Sequence, residues 1–379
     1  MSQSSTAGSS SAGGAAARPA DGTVGLTSSG VGRDDMGWRA AAVALLAVRF
    51  VQGWIYWGGG SRRFIYGPQK LDPYGHWMAY KFQTALPGAI LGSGYVVTFL
   101  LHHFVLLYAG VVIFSAVELI AGAMLIAGLL TRGAAVLTIG LSISLMLMFG
   151  WQGATCIDEW TMAASNLGMG VALALAGSGA WSLDNVLLRR RPALAGSGWF
   201  RWLGGSLPLP VSGPVFRGLA LALLAFTAVF VVGTYSYYRG SVVSAFHSGP
   251  VSPSKHHISL SQGKLSPDGT VSFHAYLDAG TAAAPSNIIA AALTQNATVI
   301  EQWDGKTLAA LPKTAFHNDF PYQQFKPGFA GITSGVGAMA RITLPPGASA
   351  LRLSGQGYTL TVTTVNGHRS TLALGVQPP

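Results

Sequence analysis

The chain has 379 residues, half of them apolar, with 9% charged side chains and a mean hydropathy of +0.42. A soluble protein carries roughly 25% charged residues, so this deficit points to a membrane protein. The net charge of +10 includes no lysine or arginine cluster interleaved with aromatics, which excludes nucleic acid as a partner and leaves membrane topology as the source of the basicity.

Residues 1–36 are dominated by Ser, Ala and Gly. They offer too little apolar surface to offset the entropy of ordering, and a disordered tail is expected. With no apolar run before position 40, the first span reads as an uncleaved anchor. Five stretches are long enough to cross about 30 Å of hydrocarbon at about 1.5 Å per residue: 38–57, 104–130, 133–151, 160–181 and 218–235. Trp38, Trp57, Trp151, Trp160, Trp181 and Tyr235 lie at their ends, where aromatic rings favour the headgroup level. The division that follows is a four-helix membrane domain at 37–190, a cytoplasmic linker at 191–214, a fifth transmembrane helix at 215–238 and a water-exposed domain at 239–379.

An N-terminus on the cytoplasmic side puts eight basic residues inside (Arg33, Arg39, Arg132, Arg189, Arg190, Arg191, Arg201 and Arg217) and four outside (Arg62, Arg63, Lys70 and Lys81). That bias favours N-in. Five spans then carry the C-terminal domain to the outer face of a cytoplasmic membrane, in the periplasm or beyond.

Arg49 and Glu118 are the deep charges of the first two spans, and an ionisable residue within a span is a functional candidate by default. Counted from the expected outer ends, they differ in depth by about 9 Å, a gap arginine can nearly cover, so they are expected to pair. Either the pair is a structural bridge fixing helix contacts, or Arg49 binds a quinone carbonyl while Glu118 delivers a proton. Gln52, Trp54 and Tyr56 follow on the same helix as candidate pocket residues. Asn166 needs a partner in the fourth span and reads as interhelical glue.

The first outer loop holds Arg62, Arg63, Lys70, His76 and Lys81 against one carboxylate, Asp72. Cations facing outward run against the positive-inside trend and suit either an anionic substrate or lipid phosphates. Cys156, the one cysteine, rules out an internal disulfide, a self-contained Cys-ligated cluster and covalent haem. Its neighbours Asp158 and Glu159 oppose the thiolate, and pairing of those carboxylates with Arg62 or Arg63 is an equal alternative. The pattern offers no metal site, and no P-loop or complete G-x-G-x-x-G is present.

From Ser259 onward, alternating runs such as 270–276 and 358–364 are separated by turn signals at Pro267-Asp-Gly269, Asp304-Gly305, Pro345-Pro-Gly347 and Asn366-Gly367. They read as a β-sandwich of about seven strands.

The run RFVQGW at 49–54, FIYGPQKL at 64–71, Glu118 within an apolar span and DEW at 158–160 resemble the DoxD family, relatives of the four-helix DoxX proteins. The fifth span and β domain, about 210–379, look like DoxA. The resemblance implies a membrane thiosulfate:quinone oxidoreductase that converts thiosulfate to tetrathionate and passes electrons to a membrane quinone, without metal, haem or flavin. On that reading Arg49, Glu118 and Cys156 are the catalytic candidates. Arg62, Arg63, Lys70 and Lys81 would bind thiosulfate, and Arg49, Gln52, Trp54 and Glu118 the quinone. A noncatalytic scaffold or accessory subunit of a terminal oxidase is the alternative, and an anion transporter a third reading. The lipid bilayer, a terminal oxidase and further copies of the chain complete the expected partners.

Overall fold

A computed structural model describes residues 40–66, 78–152, 159–240, 245–252, 257–280, 285–347 and 353–376. Lys70, Asp72, His76, Cys156 and Asp158 lie outside the described residues.

The membrane part is built from α1 (Leu46–Ser61), α2 (Met78–Ala85), α3 (Ser93–His102), α4 (Phe104–Ala127), α5 (Thr131–Phe149), α6 (Glu159–Ala176), α7 (Leu183–Arg190), α8 (Gly198–Leu203) and α9 (Gly213–Tyr238). Among the described residues, four helical segments are long and apolar enough to cross a membrane: Ala40–Ile65, Phe104–Ala127, Thr131–Phe149 and Gly213–Tyr238. The remaining expected span, at 160–181, corresponds to α6. α6 is less apolar than these four, yet it runs antiparallel to α5 along its length. Trp160 sits beside Gly150 at one end, and the Arg132 Nε donates to the Ala174 carbonyl at the other. The first span also extends beyond Trp57, through a π-helical turn at Arg62–Tyr66.

α1 packs on α4, and α5 on α6. Close approach of the first pair depends on small residues. A Cβ on Gly60 would lie 2.8 Å from the Ser115 carbonyl oxygen, and one on Gly53 would lie 2.9 Å from that of Gly122, so only bare backbone fits.

At one end of the bundle the Asp184 carboxylate accepts from the amides of Leu130, Thr131 and Gly205, capping the start of α5 from a distant segment. Arg132 donates to the carbonyls of Ala174, Arg201, Gly204 and Leu207. At the other end α2 carries the β domain. The Gln83 amide donates to the carbonyls of Gln323 and Gly337, at 3.0 and 2.9 Å, and accepts from the Gln323 amide at 2.8 Å. Phe320 packs on His102 with ring centroids 4.8 Å apart.

The C-terminal domain contains β1 (Ser259–Leu265), β2 (Val271–Tyr276), β3 (Ser286–Gln295), β4 (Thr298–Trp303), α10 (Gly305–Ala309), β5 (Phe316–Asn318), β6 (Lys326–Gly328), β7 (Gly331–Ser334), β8 (Met339–Leu344), β9 (Tyr358–Thr364) and β10 (Arg369–Leu374). Two antiparallel sheets form, ordered β1-β2-β8-β5 and β10-β9-β3-β7-β6 with β4 added to β3. Phe273, Trp303, Phe325, Ile342 and Leu360 belong to the buried core. Among the described residues there are ten strands where about seven were expected, because β5, β6 and β7 are only three or four residues long and leave little alternation to read. Gly269 and Gly367 take the positive φ their hairpins require. Asp304-Gly305 starts a helix instead of turning a hairpin, with the Asp304 carboxylate accepting from the Thr307 amide.

Candidate functional site

A cavity of about 360 Å³ opens between α1, α2, α3, α4, α5 and α6, within the size range of small-molecule sites. Its wall is mostly apolar, including Ile55, Phe82, Leu107, Phe114, Leu145, Met148 and Phe149. Arg63, Lys81, Glu118 and Glu159 all line it and form two ion pairs, Arg63 with Glu118 and Lys81 with Glu159. Arg63 also donates to the Ser115 hydroxyl at 3.3 Å, and the Lys81 ammonium lies 5.4 Å from the centre of the Phe149 ring.

Local structure explains the first pair. Gly59 brings α1 against Glu118, whose carboxylate oxygen would lie 3.3 Å from a Cβ there. The π-helical turn just beyond adds one residue per turn, a geometry often found at functional positions. It carries Arg63 while leaving Arg62 exposed.

Arg49 and Glu118 do not pair. Arg49 donates to the carbonyls of Ser178 and Trp181, at 3.1 and 2.7 Å, toward the end held by Asp184. The expected depths were wrong because α1 continues to Ser61 and its helical path to Tyr66. Glu118 is level with Gly59, ten residues after Arg49, and ten residues are about 15 Å along a helix. Trp54 lies outside the cavity wall, 58% exposed and stacked on Phe50. Glu159 pairs with Lys81, not with the alternative partners Arg62 or Arg63.

Gln52 is buried behind the cavity. Its amide nitrogen donates to the Thr138 hydroxyl at 3.2 Å and to the Asn166 carbonyl at 2.8 Å. Tyr56 and Asn166 both line the cavity, and the Tyr56 hydroxyl lies 3.0 Å from that of Ser142. Sequence reading missed Ser115, Thr138 and Ser142. Ser115 had a signal, being one helical turn before Glu118, but nothing local announced that Lys81 and Glu159 would meet.

The fold therefore defines a multi-span membrane protein with an all-β domain attached at one end of its bundle and a charged, apolar-walled cavity within it. Two family models match the chain: the TQO small subunit DoxD over residues 44–209 and the TQO small subunit DoxA over residues 238–373. The chain belongs to these families as a fused DoxDA protein of the thiosulfate:quinone oxidoreductase type. Among solved structures, a Pseudomonas fluorescens alkylpurine DNA glycosylase AlkC bound to DNA containing an abasic site analogue aligns over 82% of this chain and 99% of its own. The identity is 10% and the TM-score 0.17, too low to relate the folds.

Proposed function

We propose that the chain oxidises two thiosulfate dianions to tetrathionate and reduces one membrane quinone in the cavity. A sulfur–sulfur bond forms, each thiosulfate gives up one electron, and the quinone takes two electrons and two protons to become quinol. The observation carrying this reading is the Arg63–Glu118 pair set in an otherwise apolar wall. Such a wall suits a lipid-soluble ring. The guanidinium suits a carbonyl oxygen whose charge grows on reduction, and the carboxyl suits proton transfer.

Bringing two dianions together needs cations. At an effective dielectric of about 20, each pair of unit charges 4 Å apart costs roughly 4 kcal/mol. Arg63 and Lys81 face the cavity and Arg62 is exposed on the same turn as Arg63. Together with Lys70 they form the proposed thiosulfate-capturing set. Arg49 is assigned to positioning the end of the bundle. Cys156 is kept as the alternative covalent carrier, with direct electron transfer from thiosulfate to quinone preferred.

Orientation follows from charge. Arg132 and the segment bearing Arg189, Arg190, Arg191 and Arg201 gather at the bundle end opposite the β domain, which supports an N-in protein with its β domain on the outer face of the cytoplasmic membrane. The test supplies purified protein with thiosulfate and a soluble quinone analogue. Thiosulfate-dependent quinol formation, reduced at least tenfold by Glu118→Gln, is expected. Absence of quinol formation in the unaltered protein overturns the reading.

A further inference from the structure

Two buried amides, Gln52 behind the cavity and Asn166 in its wall, have side-chain oxygens that the site described above does not use. Gln52 is 0% exposed and Asn166 2%, and neither Gln52 Oε1 nor Asn166 Oδ1 accepts a hydrogen bond among the described residues. Their orientation is set by chemistry. The Gln52 nitrogen is bound to the Asn166 carbonyl, and the Asn166 nitrogen donates to the Met162 carbonyl at 2.9 Å. Flipping either amide would set oxygen against oxygen.

Nearby hydroxyls cannot supply the missing donors. Thr138 donates to the Ala135 carbonyl at 2.8 Å, and Ser142 to the Thr138 carbonyl at 2.8 Å. The Tyr56 hydroxyl is held by the Thr138 carbonyl and Ser142. A buried carbonyl left without a donor loses the hydrogen bonds that water gave it in the unfolded chain. Buried water is the usual remedy where several polar groups converge. No carboxylate belongs to this group, which disfavours a cation.

Resting on the quinone reading above, we propose that Gln52 and Asn166 fix a buried water cluster beside Tyr56, forming a second hydrogen-bonding pole that relays to the bound quinone one of its two protons, taken from bulk water, each cluster water passing on a proton as it receives another. Tyr56 and Asn166 line the cavity. Tyr56 lies three residues before Gly59, the position level with Glu118, so the two poles are separated by about 4.5 Å along α1. Across a quinone ring the two carbonyls point in opposite directions. Glu118 serves one oxygen and the water cluster the other, so two protons match the two electrons drawn from two thiosulfates.

The test is a structure of the full-length protein in a lipid nanodisc at a resolution that shows water, with quinone reduction measured in H₂O and D₂O. Water density about 2.6–3.2 Å from both amide oxygens is expected. Asn166→Leu should slow quinone reduction about tenfold and raise the solvent isotope effect, leaving the KM for thiosulfate unchanged, while Asn166→Ser keeps most of the rate. Dry amides in an active protein, a cation with oxygen ligands at about 2.4 Å, or an unchanged rate in a folded Asn166→Leu protein would each overturn the proposal. An unaltered protein with no turnover overturns the quinone reading itself, and the proton-supply role with it.

Discussion

Arg63 crosses from the π-helical turn that ends α1 to meet Glu118 in α4, while Arg49, earlier in α1, is bound to backbone carbonyls of Ser178 and Trp181. Two arginines on one helical path thus have separate tasks: one faces the cavity and the other ties the far end of the bundle.

Breaking the cavity pair should separate stability from chemistry. Removing one member leaves a buried charge alone, at a cost of about 3–5 kcal/mol. Arg63→Met and Glu118→Leu are each expected to lower the thermal midpoint. The double variant should recover most of that loss and remain inactive. Thermal unfolding in detergent, run beside quinone reduction, reads both effects.

Arg49→Met is predicted to act on stability. Losing two charge-assisted bonds costs about 1.5–3 kcal/mol each, while the KM for quinone should change less than about twofold. A large KM change with an unaltered thermal midpoint would return Arg49 to the quinone site.

Trp54→Ala should be nearly silent, because the ring lies on the exposed face of α1. Surface changes of this kind stay within about 0.5 kcal/mol. Turnover measured across quinones of different tail length should match the unaltered protein.

Gly60→Ala probes the contact between α1 and α4. Its Cβ would lie 2.8 Å from the Ser115 carbonyl oxygen, forcing the backbones apart and moving Arg63 relative to Glu118. A displacement of about 1 Å can cost 10²-fold in rate, so turnover should fall much further than quinone affinity. Stopped-flow reduction and a binding titration distinguish the two.

The β domain carries a pH-dependent element. Burial raises the Glu301 carboxyl above its usual range, and Glu301 Oε1 has no partner among the described residues. A carboxyl raised in the folded state favours folding below the unfolded value, and that contribution is lost as pH rises through the folded value. Glu301→Gln should therefore raise the thermal midpoint at neutral pH, with the advantage disappearing in acid. Melting curves across pH read the sign directly.

Much of the architecture was legible because apolar length and strict alternation are local signals. The second and third spans begin and end within a few residues of the expected positions, and β9 occupies 358–364 as read. Charged partners were less legible. Trp57 looks like the end of the first span, but the helical path continues to Tyr66, and that shift exchanges Arg49 for Arg63 beside Glu118. Lys81 and Glu159 meet only through packing of α2 against the bundle, and the short strands β5 to β7 carry too few residues for a period to show.

Purified protein in anaerobic nanodiscs loaded with quinone allows tetrathionate and quinol to be counted together. One tetrathionate per quinol, formed from two thiosulfates, with both products reduced at least tenfold by Arg63→Gln and by Glu118→Gln, is the predicted result. Quinol formed at the full rate by both variants, or no thiosulfate-dependent quinol from the unaltered protein, would contradict it.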